Sequence, residues 1–223
     1  MPALAPLFPD GFETATESGP VQIDGLACER ALMPVFDNLS LRVEAGQALA
    51  LYGPNGSGKT SLLRILAGLL PPSAGLISPP PNPQDLHYLG HADGLKPLLS
   101  VGETLDVLAG LFGITPYDTH DILACLGLSG RGGQAVGDLS AGQRRRLGLA
   151  RLLVAPRPLW LLDEPLTALD TQGRALVDEL ARAHLAAKGM IIAASHEVLD
   201  FATERLSLGP LTSDPLPSDK GGA

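Results

Sequence analysis

Residues 53–60 read GPNGSGKT. The spacing G-x-x-x-x-G-K-[ST] is that of a phosphate-binding loop. A chain of phosphates needs many N–H donors at close range, and glycines let the backbone come near. A helix starting there turns its positive end toward the anion. In such a loop Gly53, Pro54, Asn55, Gly56, Ser57 and Gly58 form the cradle, with Ser61 just beyond. Lys59 would bridge the β- and γ-phosphates, and Thr60 would bind Mg2+. An ordinary glycine-rich turn shares this composition. The flanks separate the two readings, because ALALY reads as a strand before the loop and SLLRILAG as a helix after it.

LWLLDEP, at 159–165, is the second chemical segment. An apolar strand would deliver Asp163 and Glu164 to its C-terminal end, where open α/β sheets bind ligands. Two adjacent carboxylates there repel each other unless a cation shares the site. Mg2+ supplies that charge. Asp163 would hold it through water, and Glu164 would be the general base on the attacking water. AASH, at 193–196, ends a third apolar run. His196 should therefore reach the same sheet edge and contact the γ-phosphate. LTALD, at 166–170, would let Asp170 act near a neighbouring site.

These residues need a scaffold that brings strand ends together. The runs at 48–52, 159–162 and 190–195 are short, apolar and bounded by breakers, without strict alternation. They suit central strands of a parallel sheet buried on both faces. A helix is expected from Lys59 to near Gly68. Another is expected over 171–189, with Leu176, Leu180, His184 and Ala187 on one face and a stop at Gly189. SAGQRRRLGLARLLV starts a third, with Ser140 as N-cap. Residues 92–153 read as mostly helical and interrupt the strand series, so they form a helical insertion in an α/β core. The prolines at 79–83 mark the loop leading into it. Residues 1–20 and 210–223 read as tails around one domain at 21–209.

The 223 residues suffice for one large domain, and hydrophobic content is 45%. Net charge is −8, which disfavours nonspecific nucleic-acid binding. Cys28 and Cys125 lie far apart, without metal-ligand spacing, and read as small buried groups. The first basic side chain is Arg30, so the start lacks the positive region of a secretory signal. The longest apolar stretch, SLLRILAGLLPP, is far short of the ~20 residues that cross a bilayer. The chain is expected in the cytoplasm, able to dock on a membrane protein.

GPNGSGKT, LSAGQ, LWLLDEP, TALD and SH, in that order and spacing, resemble an ATP-binding-cassette (ABC) ATPase over residues 21–209. The resemblance implies an α/β fold with a RecA-like P-loop NTPase core and mainly parallel sheet. It also implies an N-terminal antiparallel β portion and an inserted helical subdomain. The ligands it implies are ATP and Mg2+. In such ATPases the LSxGQ segment faces the γ-phosphate of ATP held by the other subunit. Ser140 Oγ, the N–H of Gly142, neighbouring Gln143 and the helix dipole would then form an anion clamp without charged side chains. A second copy of the chain would pack head to tail around two ATPs. Arg144, Arg145 and Arg146 lie one turn into the same helix, where the family commonly carries basic residues. They are not read as a nucleic-acid patch.

Two positions depart from the family pattern. Arg30 stands where an aromatic residue usually stacks on adenine, and a guanidinium can stack there too. His91 stands where the family carries a Gln that contacts Mg2+ and water, and a neutral imidazole could replace that hydrogen bond. Within the family, YLGHADGLKPLLSVGETL and PLWLLDEPLTALDTQG are similar to ATP-binding subunits of cytochrome c biogenesis haem exporters. This implies ATP hydrolysis for haem delivery, or for release of haem from its chaperone. It implies integral membrane permease partners at the cytoplasmic face of the bacterial inner membrane. Haem is assigned to those partners, since His87, His120 and His184 show no paired-ligand pattern. Residues 97–111 are the expected docking face. The other readings are an ATPase for a different transported substrate, a soluble ABC ATPase acting on DNA or ribosomes, and a nucleotide switch.

Overall fold

A computed structural model of the chain describes residues 19–114 and 118–209. The expected tails lie outside these residues, except for Gly19 and Pro20. The first half contains β1 (Val21–Arg30), β2 (Met33–Val43), β3 (Ala48–Tyr52), α1 (Lys59–Leu66), β4 (Ala74–Ser78) and β5 (Leu86–Leu89). Helices α2 (Val101–Phe112), α3 (Thr119–Cys125), α4 (Ala141–Gly148) and α5 (Ala150–Val154) follow. The chain then returns to β6 (Leu159–Asp163), α6 (Thr171–Ala186), β7 (Met190–Ala194) and β8 (Glu204–Ser207).

Two sheets result. The larger is parallel throughout, in the order β5-β6-β7-β3-β8. The three runs expected as central strands are β3, β6 and β7, and they sit together in its middle. Successive strand residues face opposite sides. Leu49, Leu51, Leu161 and Ile192 pack with Leu62, Leu63 and Ile65 of α1 and with Ile23 and Leu26 of β1. Ala50, Trp160, Leu162 and Ile191 pack with Leu105, Leu152, Leu176 and Leu180 on the helical side. Burial on both faces explains the unbroken apolar runs. The smaller sheet is antiparallel, in the order β2-β1-β4, and covers α1.

The helices α2 to α5 occupy the stretch between β5 and β6, as an insertion requires. Ser100 and Glu103 close a capping box at the start of α2. The helix expected from Ser140 is divided by a single residue, Leu149, whose N–H bonds to the Arg146 carbonyl in a tighter turn. Helix α6 ends at Ala186 rather than running to Gly189. The left-handed residue after it is Lys188, at φ 65°. Gly189 is needed for a different reason: a Cβ there would lie 2.1 Å from the His184 ring. No helix among the described residues is long and apolar enough to cross a membrane.

Candidate active site

The phosphate loop joins the end of β3 to α1. Gly58, at φ 97°, caps α1 without any side-chain hydrogen bond, so the first-turn N–H groups stay open to a ligand. Its close fit tolerates no larger residue, since a Cβ would come within 2.8 Å of Val35 and Phe36. Lys59 is buried, and its ammonium donates to the carbonyls of Gly53 (2.7 Å) and Pro54 (3.1 Å). Ser57 Oγ is buried without a hydrogen-bond partner. A buried lysine near an orphaned hydroxyl and open N–H groups is a site shaped for an anion.

The carboxylates arrive from β6. Thr60 Oγ1 donates to Asp163 Oδ1 at 3.1 Å, and Asp163 is buried. Glu164 follows at φ 52°, a left-handed conformation that costs a non-glycine residue ~1–3 kcal/mol. Its N–H donates to the Ala194 carbonyl (2.9 Å) at the end of β7. Its own carbonyl accepts from Arg145 Nη2 (2.9 Å) and from the Thr167 N–H (3.2 Å). The carboxylate meets the His196 turn twice. Oε1 lies 3.4 Å from His196 Nε2, and Oε2 accepts the His196 N–H at 3.4 Å. Glu197 anchors that turn to Arg174 of α6 through a two-point ion pair.

These groups line one cavity of about 640 Å3. Asn55, Gly56, Ser57, Gly58, Lys59, Thr60 and Ser61 form its floor. Asp163, Glu164, His196 and His91 stand around it, and Arg30 is at its exposed rim. Gly53 and Pro54 do not line it and act through their carbonyls on Lys59. Ser140, Gly142, Gln143 and Asp170 also lie outside the lining. Ser140 Oγ accepts the Gln143 N–H, and Gln143 Oε1 accepts the Ser140 N–H, a closed capping box on α4. The Asp170 carboxylate caps α6 through the Gly173 N–H at 2.8 Å. The two segments touch, since the Cα of Gly142 sits against the Ala168 carbonyl closely enough that a Cβ would lie 3.3 Å from it.

Several residues of the site were not anticipated. Val35, Arg64, Thr167 and Glu197 line the cavity. Arg64 carries a weak signal, one helical turn beyond Thr60 on α1. The larger omission is Arg145. It is not a solvated member of a basic run but 4% exposed. Its Nη1 donates to the Gly90 carbonyl and to Asp93 Oδ1, and its Nη2 to the carbonyls of Asp163 and Glu164. Arg151 donates to the carbonyls of Tyr88 and Asp93, so two arginines clamp the loop that carries His91. His87 and His184 belong to the core. His87 bonds the Ala155 carbonyl, and His184 stacks on Trp160 with ring centroids 3.9 Å apart. Burial pushes their pKa values down to about 4 and about 3.

Residues 36–167 match the family model described as ABC transporter. The chain is 49% identical over 191 residues to the cytochrome c biogenesis ATP-binding export protein CcmA of Rhodopseudomonas palustris, covering 83% of this chain and 96% of that protein. It is 47% identical over 197 residues to the CcmA of Bradyrhizobium diazoefficiens, covering 85% and 98%. Among solved structures, an ABC transporter ATP-binding protein from Pyrococcus furiosus superposes with a TM-score of 0.75 at 26% identity, over 85% of this chain and 98% of that one. A dimeric bacterial ABC transporter cassette shares the fold, with a TM-score of 0.72 at 20% identity, over 85% and 94%. With a phosphate loop, a strand-end carboxylate pair and a strand-end histidine converging on one cavity, the chain belongs to the ATP-binding family of ABC transporters and is an ATPase.

Proposed function

We propose that this chain is the ATP-hydrolysing subunit of a transporter that powers haem delivery in cytochrome c biogenesis, or release of haem from its chaperone. The observation that carries this reading is the 49% identity to a protein named for cytochrome c biogenesis export, along nearly its whole length.

In this reading the loop N–H groups and Lys59 hold the β- and γ-phosphates of ATP, and Arg30 covers the adenine. Thr60 and Asp163 offer a hydroxyl and a carboxylate oxygen 3.1 Å apart, hard ligands that suit Mg2+. They would hold that ion, Asp163 through water, and once bound it supplies positive charge to the phosphate oxygens. Glu164 takes a proton from water as that water attacks the γ-phosphorus. The bond from the γ-phosphorus to the bridging oxygen breaks, leaving ADP and inorganic phosphate. His196 steadies Glu164 and donates to a γ-phosphate oxygen. His91 hydrogen-bonds the attacking water.

Ser140, Gly142 and Gln143 serve a second copy, with Asp170 beside them. Their place outside the cavity supports that division, because they do not line the copy's own site. The membrane permease would dock on the helical region, where Leu98, Val107 and Leu111 are exposed. Val107 and Leu111 lie one turn apart on α2. The complex would sit at the cytoplasmic face of the bacterial inner membrane. Deleting the gene from its own genome tests the assignment. Covalently bound haem in c-type cytochromes should vanish from haem-stained gels while b-type cytochromes persist. Unchanged c-type cytochromes would reject the haem assignment and leave the ATPase intact.

A further inference from the structure

We propose that Arg145 is a positioning residue whose guanidinium holds the backbone of Glu164, and so its carboxylate, in line for hydrolysis. The inference rests on the assignment of Glu164 as general base.

Four observations carry it. Glu164 adopts a left-handed backbone at φ 52°, which persists only where neighbours over-determine it. Its carbonyl receives the Arg145 Nη2 bond at 2.9 Å, the shorter of the two it accepts. The same guanidinium binds Gly90 and Asp93, on either side of His91. Arg145 Nε is buried without a partner. An ion pair whose guanidinium is buried with an unpaired N–H is weak support for stability, since apolar replacements often serve as well. Its geometry is what matters, because one rigid fork joins the segment that carries His91 to the segment that carries Glu164, which a flexible ammonium cannot do in the same way.

Arg145 also lies on α4, the helix that starts at Ser140.

The test uses the full chain, with turnover expressed per nucleotide site counted by titration with a fluorescent ATP analogue. Arg145→Lys keeps a charge opposite Asp93 but loses the fork that bonds both segments at once. The pair Arg145→Gln with Asp93→Asn removes both charges of the ion pair, so neither is stranded. Each should lower kcat per site by about tenfold or more with Kd for the analogue within about threefold of the parent, the pattern of an interaction made only in the transition state. In a Glu164→Gln background, Arg145→Lys should change the residual rate by less than about twofold, because residues acting as one unit are not additive. A merely structural role would reduce the number of sites and the melting temperature and leave kcat per site alone. Unchanged kcat per site in both variants overturns the inference, as do losses that multiply onto Glu164→Gln. Normal turnover by Glu164→Gln itself overturns the assignment of Glu164, and this inference with it. An inactive Glu164→Gln beside Arg145 variants of normal kcat overturns this inference alone.

Discussion

Thr60 Oγ1 and Asp163 Oδ1 meet at 3.1 Å, joining the first turn of α1 to the last residue of β6. The contact sets a hydroxyl and a carboxylate oxygen side by side at the C-terminal end of the parallel sheet. Asp163→Asn keeps an acceptor for the Thr60 hydroxyl and loses the charge. The Mg2+ concentration at half-maximal ATPase should rise by about 10–100-fold, as for loss of a partner just outside the metal's own ligands. An unaltered Mg2+ titration would remove Asp163 from the metal site.

Glu164→Gln preserves shape and hydrogen bonding to the His196 turn but cannot accept a proton. ATP binding should survive while turnover falls by roughly 10²–10⁴. Size-exclusion chromatography with ATP should then show a stable dimer. Full turnover in this variant would take the role of base away from Glu164.

Ser140→Asp probes the clamp without unfolding α4, because aspartate caps a helix about as well as serine. The added carboxylate faces the phosphate that the helix start would receive. Light scattering of the Glu164→Gln, Ser140→Asp double variant with ATP should report monomers only, while each site still binds nucleotide. A dimer of normal stability would place the clamp elsewhere.

The buried histidines predict a pH dependence of stability. His87 and His184 are held down to about 4 and about 3 by burial, against an ordinary value of 6.5. Above 6.5 they are neutral in both folded and unfolded chains, and their contribution is fully present. As pH falls below 6.5, the unfolded chain takes up protons that the fold refuses. Stability should drop until about pH 4 for His87 and about pH 3 for His184, by at most about 1.4 kcal/mol per pH unit for each group. Urea melts followed by the fluorescence of Trp160, the single tryptophan, would measure this. A midpoint constant from pH 7 to pH 4.5 would contradict it.

Gly189→Ala pushes a methyl into the His184 ring at 2.1 Å and disturbs its stacking on Trp160. Overpacking of this kind costs about 1–3 kcal/mol. The same melts should show the loss, together with a shifted Trp160 emission in the folded state. Wild-type stability would mean that the ring moves freely, against its burial.

How much of this was legible beforehand depended on how local each determinant is. The phosphate loop, the carboxylate pair and the central strands were readable because each is a contiguous pattern with its own physics. Glycine spacing serves phosphate approach, and unbroken apolar runs serve burial on both faces. Strand β8 was not, since Glu204–Ser207 is a mostly polar edge strand without an apolar run. The end of α6 was misplaced because Gly189 looks like a helix stop, whereas its small size serves the ring of His184.

The sequence by itself therefore determined the chemistry on offer: a phosphate-loop pattern, an adjacent carboxylate pair and a strand-end histidine, with the LSAGQ helix start given a role only by the family resemblance. Only the tertiary structure decided which groups stand at one cavity and which side chains hold them. It separated Ser140, Gly142, Gln143 and Asp170 from the cavity that holds Lys59, Asp163, Glu164 and His196. It also turned Arg145, one of three adjacent arginines, into a buried fork that joins Asp93 to the Glu164 backbone. Neighbouring residues on a helix point in directions 100° apart, and what each meets is set by chain that returns from far away in sequence. No local pattern distinguishes Arg145 from Arg144. The difference lies in Asp93 and Glu164, which the fold carries to one side of the helix and not the other.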